Sequence, residues 1–214
     1  MALRLEDVSI TLGGRVLVAP FSLSVAAGET VTLMGASGSG KSTLLSFIAG
    51  DLEPPFMASG RVSLDGVALD GLPPERRHVG RLFQDDLLFP HLTVAENLLF
   101  GLPRANRADR LAIVEAALAE AELEGFGDRP PHTLSGGQRA RVALMRALVA
   151  APRAMLLDEP FNKLDAALRQ TMRSFVFEHI AQRRIPCLMV THDAADVPSG
   201  GRVLLLKDAR VSDA

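Results

Sequence analysis

Apolar and polar positions repeat with two different periods along this chain, and the changes of period divide it. From Leu3 to Val18, alternating runs flank Gly13-Gly14, which predicts strands around a turn. Phe21-Ser22-Leu23-Ser24-Val25 alternates cleanly and closes at Ala27-Gly28, a further strand. Thr30-Val31-Thr32-Leu33-Met34 is β-branched and apolar, as a buried strand is, and Thr43 to Ala49 reads as a helix that Gly50 ends. Pro54-Pro55 and Gly60 are expected to break the chain. Arg61 to Leu64 with the turn Asp65-Gly66 predicts a hairpin, and another strand leads from Arg76 to Gln84.

Beyond Gln84 the period lengthens to that of helices. Thr93-Val94-Ala95-Glu96 is a capping box opening a helix through Leu99. Leu111, Val114, Leu118 and Ala121 recur at helical spacing, with Gly125 as the expected stop. Asp128-Arg129-Pro130-Pro131 is a rigid loop, and Ser135-Gly136-Gly137-Gln138 is a second capping box whose helix runs to about Val149. Ala154 to Leu157 is a fully apolar strand ending abruptly in Asp158-Glu159-Pro160. Leu168, Met172, Phe175, Val176 and Ile180 mark a long amphipathic helix. Pro186 to Thr191 is another buried strand, ending in His192-Asp193, and Val203 to Leu206 is expected to be the last strand. Strands alternating with helices predict an α/β fold whose parallel sheet is covered on both faces. The expected division is one domain over residues 1–214. Its core comprises 1–84 and 141–214, and a helical insertion covers 85–140.

Composition changes this picture little. The chain has 214 residues, and 48% are hydrophobic, enough for a full core without disulfide or metal staples. Its 23 basic and 25 acidic side chains give a net charge of −2, so there is no electrostatic footprint for nucleic acid. Cys187 is the single cysteine, which forbids an internal disulfide and reads as a small buried hydrophobe on a strand. No signal peptide is expected at Met1 to Asp7, and no apolar run approaches the roughly 20 residues that span a bilayer.

The chemistry enters at Gly35-Ala36-Ser37-Gly38-Ser39-Gly40-Lys41-Ser42, with Thr43 following. The spacing is that of a phosphate-binding loop, set between a strand and a helix. Backbone N–H groups and the positive end of a helix hold a polyphosphate, and glycines let the backbone approach it. Lys41 supplies a point charge and Ser42 a hydroxyl for Mg²⁺. Gln84, Asp158, Glu159 and His192 each follow a strand, where ligands sit in a parallel sheet. Two adjacent carboxylates repel unless a cation or proton relieves them. Asp158 is therefore suited to hold Mg²⁺, and Glu159 to act as base for an attacking water.

These residues, with Leu134-Ser135-Gly136-Gly137-Gln138, Leu156 to Pro160 and Leu164-Asp165, occur in the order found in ABC transporter ATPases. The match covers nearly the whole chain, and Phe83 to Val94 resembles the ATPase subunits of bacterial importers for maltose, polyamines, iron and thiamine. The compact length resembles the thiamine-like members, without an appended C-terminal regulatory domain. The resemblance implies a P-loop NTPase core, an N-terminal antiparallel β subdomain and an inserted helical subdomain. It implies ATP and Mg²⁺ as cofactors. Gly35 to Thr43 would cradle the phosphates, and Ser42, Gln84 and Asp158 would hold the metal. Glu159 would be the general base, His192 would touch the γ-phosphate, and Gln84 would couple the site to the membrane. Ser135, Gly136, Gly137 and Gln138 would face the nucleotide of a second copy. The implied partners are that copy, two membrane-spanning permease subunits and, indirectly, a solute-binding protein. The implied location is the cytoplasmic face of the plasma membrane.

Two positions depart from the family. Leu12 stands where an aromatic ring usually stacks on adenine, and the chain has no Trp or Tyr; looser base choice is expected. Asn162-Lys163-Leu164-Asp165 replaces the usual serine-led run at the dimer seam. A soluble ABC protein acting on DNA or ribosomes would show long coiled-coil insertions, paired cassettes or basic surfaces, and a mere nucleotide sensor would not need both Glu159 and His192.

Overall fold

The computed structural model describes residues 1–103, 106–162 and 164–214. Two sheets organise it. β1 (Ala2–Leu12) and β2 (Arg15–Ala26) form a long hairpin through Gly13-Gly14, and the expected strand Phe21 to Val25 is part of β2. β4 (Phe56–Leu64) pairs antiparallel with β1, and β5 (Val67–Ala68) completes this sheet in the order β2-β1-β4-β5. Asp65 and Gly66, at φ 54° and 78°, make the two-residue turn between β4 and β5. The break expected at Gly60 does not occur. Gly60 lies inside β4 at φ 100°, opposite a register shift in β1, and a Cβ there would fall 2.6 Å from the carbonyl oxygen of Asp7. Its conformational freedom makes a bulge rather than a chain break.

The second sheet has the order β10-β9-β3-β8-β7-β6. β3 (Thr30–Gly35), β6 (Val79–Leu82), β7 (Ala154–Asp158), β8 (Cys187–Thr191) and β9 (Arg202–Lys207) are parallel, as the alternation of strands and helices predicts. β10 (Arg210–Asp213) pairs antiparallel at the edge, one strand beyond the last that the pattern predicts, because its four residues are mostly polar and exposed. The period-2 rule fixes the two cores. Met155, Leu157, Cys187 and Met189 face a helical cluster, whereas Ala154, Leu156, Leu188 and Val190 face a second cluster built from α1 and the antiparallel sheet.

The helices are α1 (Lys41–Ala49), α2 (Val94–Gly101), α3 (Arg107–Glu120), α4 (Gly136–Val149) and α5 (Ala166–Gln182). Both capping boxes, at Thr93 and Ser135, form with both hydrogen bonds present. α3 does not wait for Gly125 to stop. Glu122 takes the left-handed conformation at φ 54°, its N–H bonds Ala119 O at 3.0 Å, and Leu123 N–H bonds Leu118 O at 2.8 Å. Leu111 is 40% exposed, so α3 buries Val114, Ala117 and Leu118 instead. α4 runs unbroken through residues 140 and 141, where the sequence places the edge of the helical insertion. Arg104, Ala105 and Lys163 lie outside the described residues.

Candidate nucleotide-binding site

β3 delivers the chain to the glycine-rich loop, and α1 leaves it. Gly40, at φ 104°, is the N-cap of α1 and gives no side-chain cap, while Gly50 at φ 87° ends the helix. α2, α3, α4 and α5 each have a side-chain cap, from Thr93, Asn106, Ser135 and Asp165. Among the described α-helices, α1 alone leaves its N-terminal N–H groups without one, and this end opens on a cavity of about 450 Å³. Ser37, Gly38, Gly40, Lys41, Ser42, Thr43, Gln84 and Glu159 line the cavity, and Leu12, Arg15, Leu17 and Phe56 of the antiparallel sheet complete its walls. Such a helix end suits an anion.

Lys41 is folded into the loop. Its Nζ donates to Gly35 O at 2.8 Å and Ala36 O at 2.9 Å, and burial lowers its pKa against the opposing pull of Glu159 and Asp158. Ser39 Oγ is buried and has no hydrogen-bond partner among the described residues, a polar atom a ligand could satisfy. Gly35 is needed where the loop crosses β9, since a Cβ would fall 2.6 Å from Leu206 O.

Ser42 Oγ donates to Asp158 Oδ1 at 2.9 Å, joining the start of α1 to the end of β7. Arg81 stands on the other side of Asp158, 3.5 Å from Oδ2, and also donates to Asp51 and Ser46. Glu159 takes a left-handed conformation at φ 46° as the chain leaves the sheet. One of its carboxylate oxygens is 3.2 Å from His192 Nδ1, and the other accepts from the amide of Asn162. His192 is carried by a braced turn: Arg169 bonds Asp193 and Asp196, each at 2.8 Å, and the wholly buried Asp196 accepts from Thr191 at 2.9 Å.

The structure thus gathers Gly35 to Thr43, Gln84, Asp158, Glu159 and His192 at one end of the sheet. Ser135, Gly137 and Gln138 do not line this cavity, and Gly136 borders a separate one of about 70 Å³ together with Gln84 and Glu159. The capping box occupies the N–H groups of Ser135 and Gln138 and leaves those of Gly136 and Gly137 uncommitted. Sequence reasoning missed Arg81, Arg169 and Asp196. All three are charged groups whose partners come from other elements; Arg81 lies three residues before Gln84 and Asp196 three residues beyond Asp193, but neither spacing names a partner.

The family model for the ABC transporter matches residues 18–162. The chain belongs to the ABC transporter family. The cassette is 46% identical over 200 residues to the uncharacterized ABC transporter ATP-binding protein YnjD of Escherichia coli, covering 93% of this chain and 92% of that one. It is 43% identical to the thiamine import ATP-binding protein ThiQ of the same organism, covering 90% and 83%. The putrescine transport ATP-binding protein PotG is 40% identical, but the cassette covers 95% of itself and only 54% of PotG, about half that longer chain. Among solved structures, the dimeric ATP-binding cassette MJ0796 with ADP and Pi matches with a TM-score of 0.84 at 30% identity, over 99% of this chain and 97% of that one. The cassette is an ATP-binding ATPase of importer type, and its fold is the one seen as a dimer. No helix among the described residues is long and apolar enough to cross a membrane.

Proposed function

We propose that this cassette binds ATP along the Ser37 to Thr43 loop, hydrolyses it as one of a head-to-tail pair, and so drives solute uptake through two membrane-spanning permease subunits. One observation carries the reading: the uncapped start of α1, Lys41, the Ser42–Asp158 pair and Glu159 converge on one site. The loop amides and Lys41 hold the phosphates. On this reading Lys41 leaves the carbonyls of Gly35 and Ala36 for the phosphate oxygens. Glu159 takes the proton of the attacking water as the bond to the terminal phosphate breaks, releasing ADP and phosphate. His192 and Asn162 hold its carboxylate in place, and His192 reaches the γ-phosphate.

The donors fit Mg²⁺, a hard cation that keeps several waters and takes few protein ligands. Ser42 and Asp158 already meet, Gln84 lines the same cavity, and no cluster of three or more His, Cys, Asp or Glu able to hold a metal occurs among the described residues. When bound, the ion neutralises phosphate charge. Ser135, Gly136, Gly137 and Gln138 face the ATP of the partner copy, which is consistent with their lying outside this chain's own cavity.

Residues 85–140 form the helical unit that meets the membrane subunits. Its support is an apolar groove of about 450 Å³ next to Gln84, where Phe83, Leu87 and Phe100 are 37%, 52% and 68% exposed. The cassette sits at the cytoplasmic face, with a solute-binding protein acting on the far side. The test is Glu159→Gln. It should bind ATP, lose nearly all turnover and accumulate as dimer on size exclusion, whereas native turnover at full rate in this variant removes Glu159 from its role.

A further inference from the structure

The cavity has a second end. Beyond the phosphate loop its walls are Leu12, Arg15, Leu17 and Phe56. We propose that this end is the base subsite, that the ring of Phe56 is its stacking platform, and that the subsite accepts purines generally, so that GTP serves as well as ATP. The proposal rests on the phosphate end being where the triphosphate lies, as argued above.

Register places these residues together. Leu12 pairs with Arg15 across the β1–β2 hairpin and with Phe56 across β1–β4, so the three stand in a row at one end of the antiparallel sheet. That row is fixed against the phosphate loop. A Cβ on Gly40 would lie 3.4 Å from both Leu17 Cβ and Val18 Cγ2, so β2 packs directly on the loop backbone. A nucleotide whose phosphates sit at Gly38 to Thr43 therefore has only this direction within the cavity for its base.

The chemistry of the walls decides what the base meets. The chain has no Trp or Tyr, and Phe56 is the one aromatic residue lining the cavity among the described residues. Leu12 offers an aliphatic surface without a π face. Phe56 comes instead from the first position of β4 and is half-buried. A purine plane gains most from a ring. Among the described residues that line this end, Arg15 has the one polar side chain. Its guanidinium donates and never accepts. It can bond N7 of either purine and O6 of guanine. Among the described residues lining this cavity, no side chain at this end accepts from the amino group of adenine; Asp51 and Glu53 line the neighbouring cavity instead. Selecting adenine against guanine requires a group paired with that amino group, or a clash with its replacement.

The experiment is equilibrium binding of ATP, GTP and inorganic tripolyphosphate to the native full chain and to Phe56→Ala, Phe56→Leu, Phe56→Trp and Lys41→Ala. The native chain should bind ATP and GTP within about threefold of each other. Phe56→Ala and Phe56→Leu should weaken both by about ten- to a hundredfold while tripolyphosphate binds unchanged, and Phe56→Trp should restore both. Lys41→Ala should weaken all three ligands, and if it does not, the phosphate reading fails separately. Native affinity for ATP in Phe56→Leu, or a parallel loss of tripolyphosphate, overturns the platform. GTP binding more than about tenfold weaker than ATP overturns the open base choice. Should Phe56→Ala not fold, the leucine and tryptophan forms decide the matter.

Discussion

Asn162 donates its side-chain amide to Glu159, three residues back, while His192 stands 3.2 Å from the other carboxylate oxygen. The carboxylate is gripped at both ends, and its own backbone N–H is anchored to Val190 O at 2.9 Å. A side chain so held is pre-aimed, which removes the cost of orienting it during reaction. Asn162→Ala should lower kcat about tenfold and leave KM for nucleotide within about twofold, as expected for loss of one hydrogen bond to a charged group. Steady-state kinetics of Asn162→Ala and Asn162→Ser test this. A rise in KM at unchanged kcat would assign Asn162 to binding instead.

Lys41 is held by two carbonyls of its own loop and is 5% exposed. Removing it frees those carbonyls to water rather than burying an orphan charge. Lys41→Ala should therefore keep the native melting temperature within a few degrees. ATP affinity should fall about ten- to a hundredfold, the worth of a charge-assisted hydrogen bond. Calorimetric titration and thermal unfolding on the same sample separate the two effects.

Arg77 does for the end of α1 what no side chain does for its start. Its guanidinium donates to Phe47 O at 3.0 Å, Ile48 O at 2.9 Å and Leu72 O at 2.8 Å, with 8% of the residue exposed. Phe47 O and Ile48 O are carbonyls of the last turn of α1, the first of them shared with the Gly50 N–H at 3.2 Å, and Leu72 O belongs to a loop. Arg77→Met should destabilise the fold by about 2–4 kcal/mol, with Tm lowered on the order of 10 °C. Urea unfolding gives the value, and a loss below about 0.5 kcal/mol would mean water replaces the guanidinium freely.

Asp193, next to His192, has its pKa lowered. The N–H of Ala195 is the main cause, burial opposes it, and Arg169 adds to the lowering. A carboxylate with a folded pKa below its ordinary 3.8 adds stability above that value and loses it as pH falls through the folded one. Asp193→Asn should accordingly shift the urea midpoint downward at neutral pH, and the two midpoints should converge in strong acid. Equal midpoints at pH 7 would show that the Arg169 pair contributes nothing.

Legibility in the sequence followed how local the physics was. The phosphate loop, the two capping boxes and the run Asp158-Glu159 were readable because their chemistry needs particular residue types at fixed spacing. Gly60 and Gly125 were misread for one reason. A glycine permits a positive φ without saying what it is for, and the long-range pairing of β1 with β4 set Gly60 opposite a bulge at Asp7-Val8. Glu122 closed α3 in glycine's place, at φ 54°. Arg77, Arg81 and Asp196 left no pattern at all, since their partners lie in other elements. Phe56 was invisible for the same reason: only the register across from Leu12 brings it to the cavity.

One contact ties the far side of the molecule together. A Cβ on Gly137 would fall 2.0 Å from Leu168 Cδ2, so the first turn of α4 receives a side chain from the first turn of α5 where only glycine leaves room for it. Asn106 and Thr93 begin helices elsewhere, but Ser135 and Asp165 begin two that share this seam. Leu164, just before Asp165, also comes within 3.8 Å of that position, so the start of α5 and the Ser135 turn meet across Gly137. A side chain of any size at 137 would displace Leu168 and so pry the start of α5 away from the Ser135 turn.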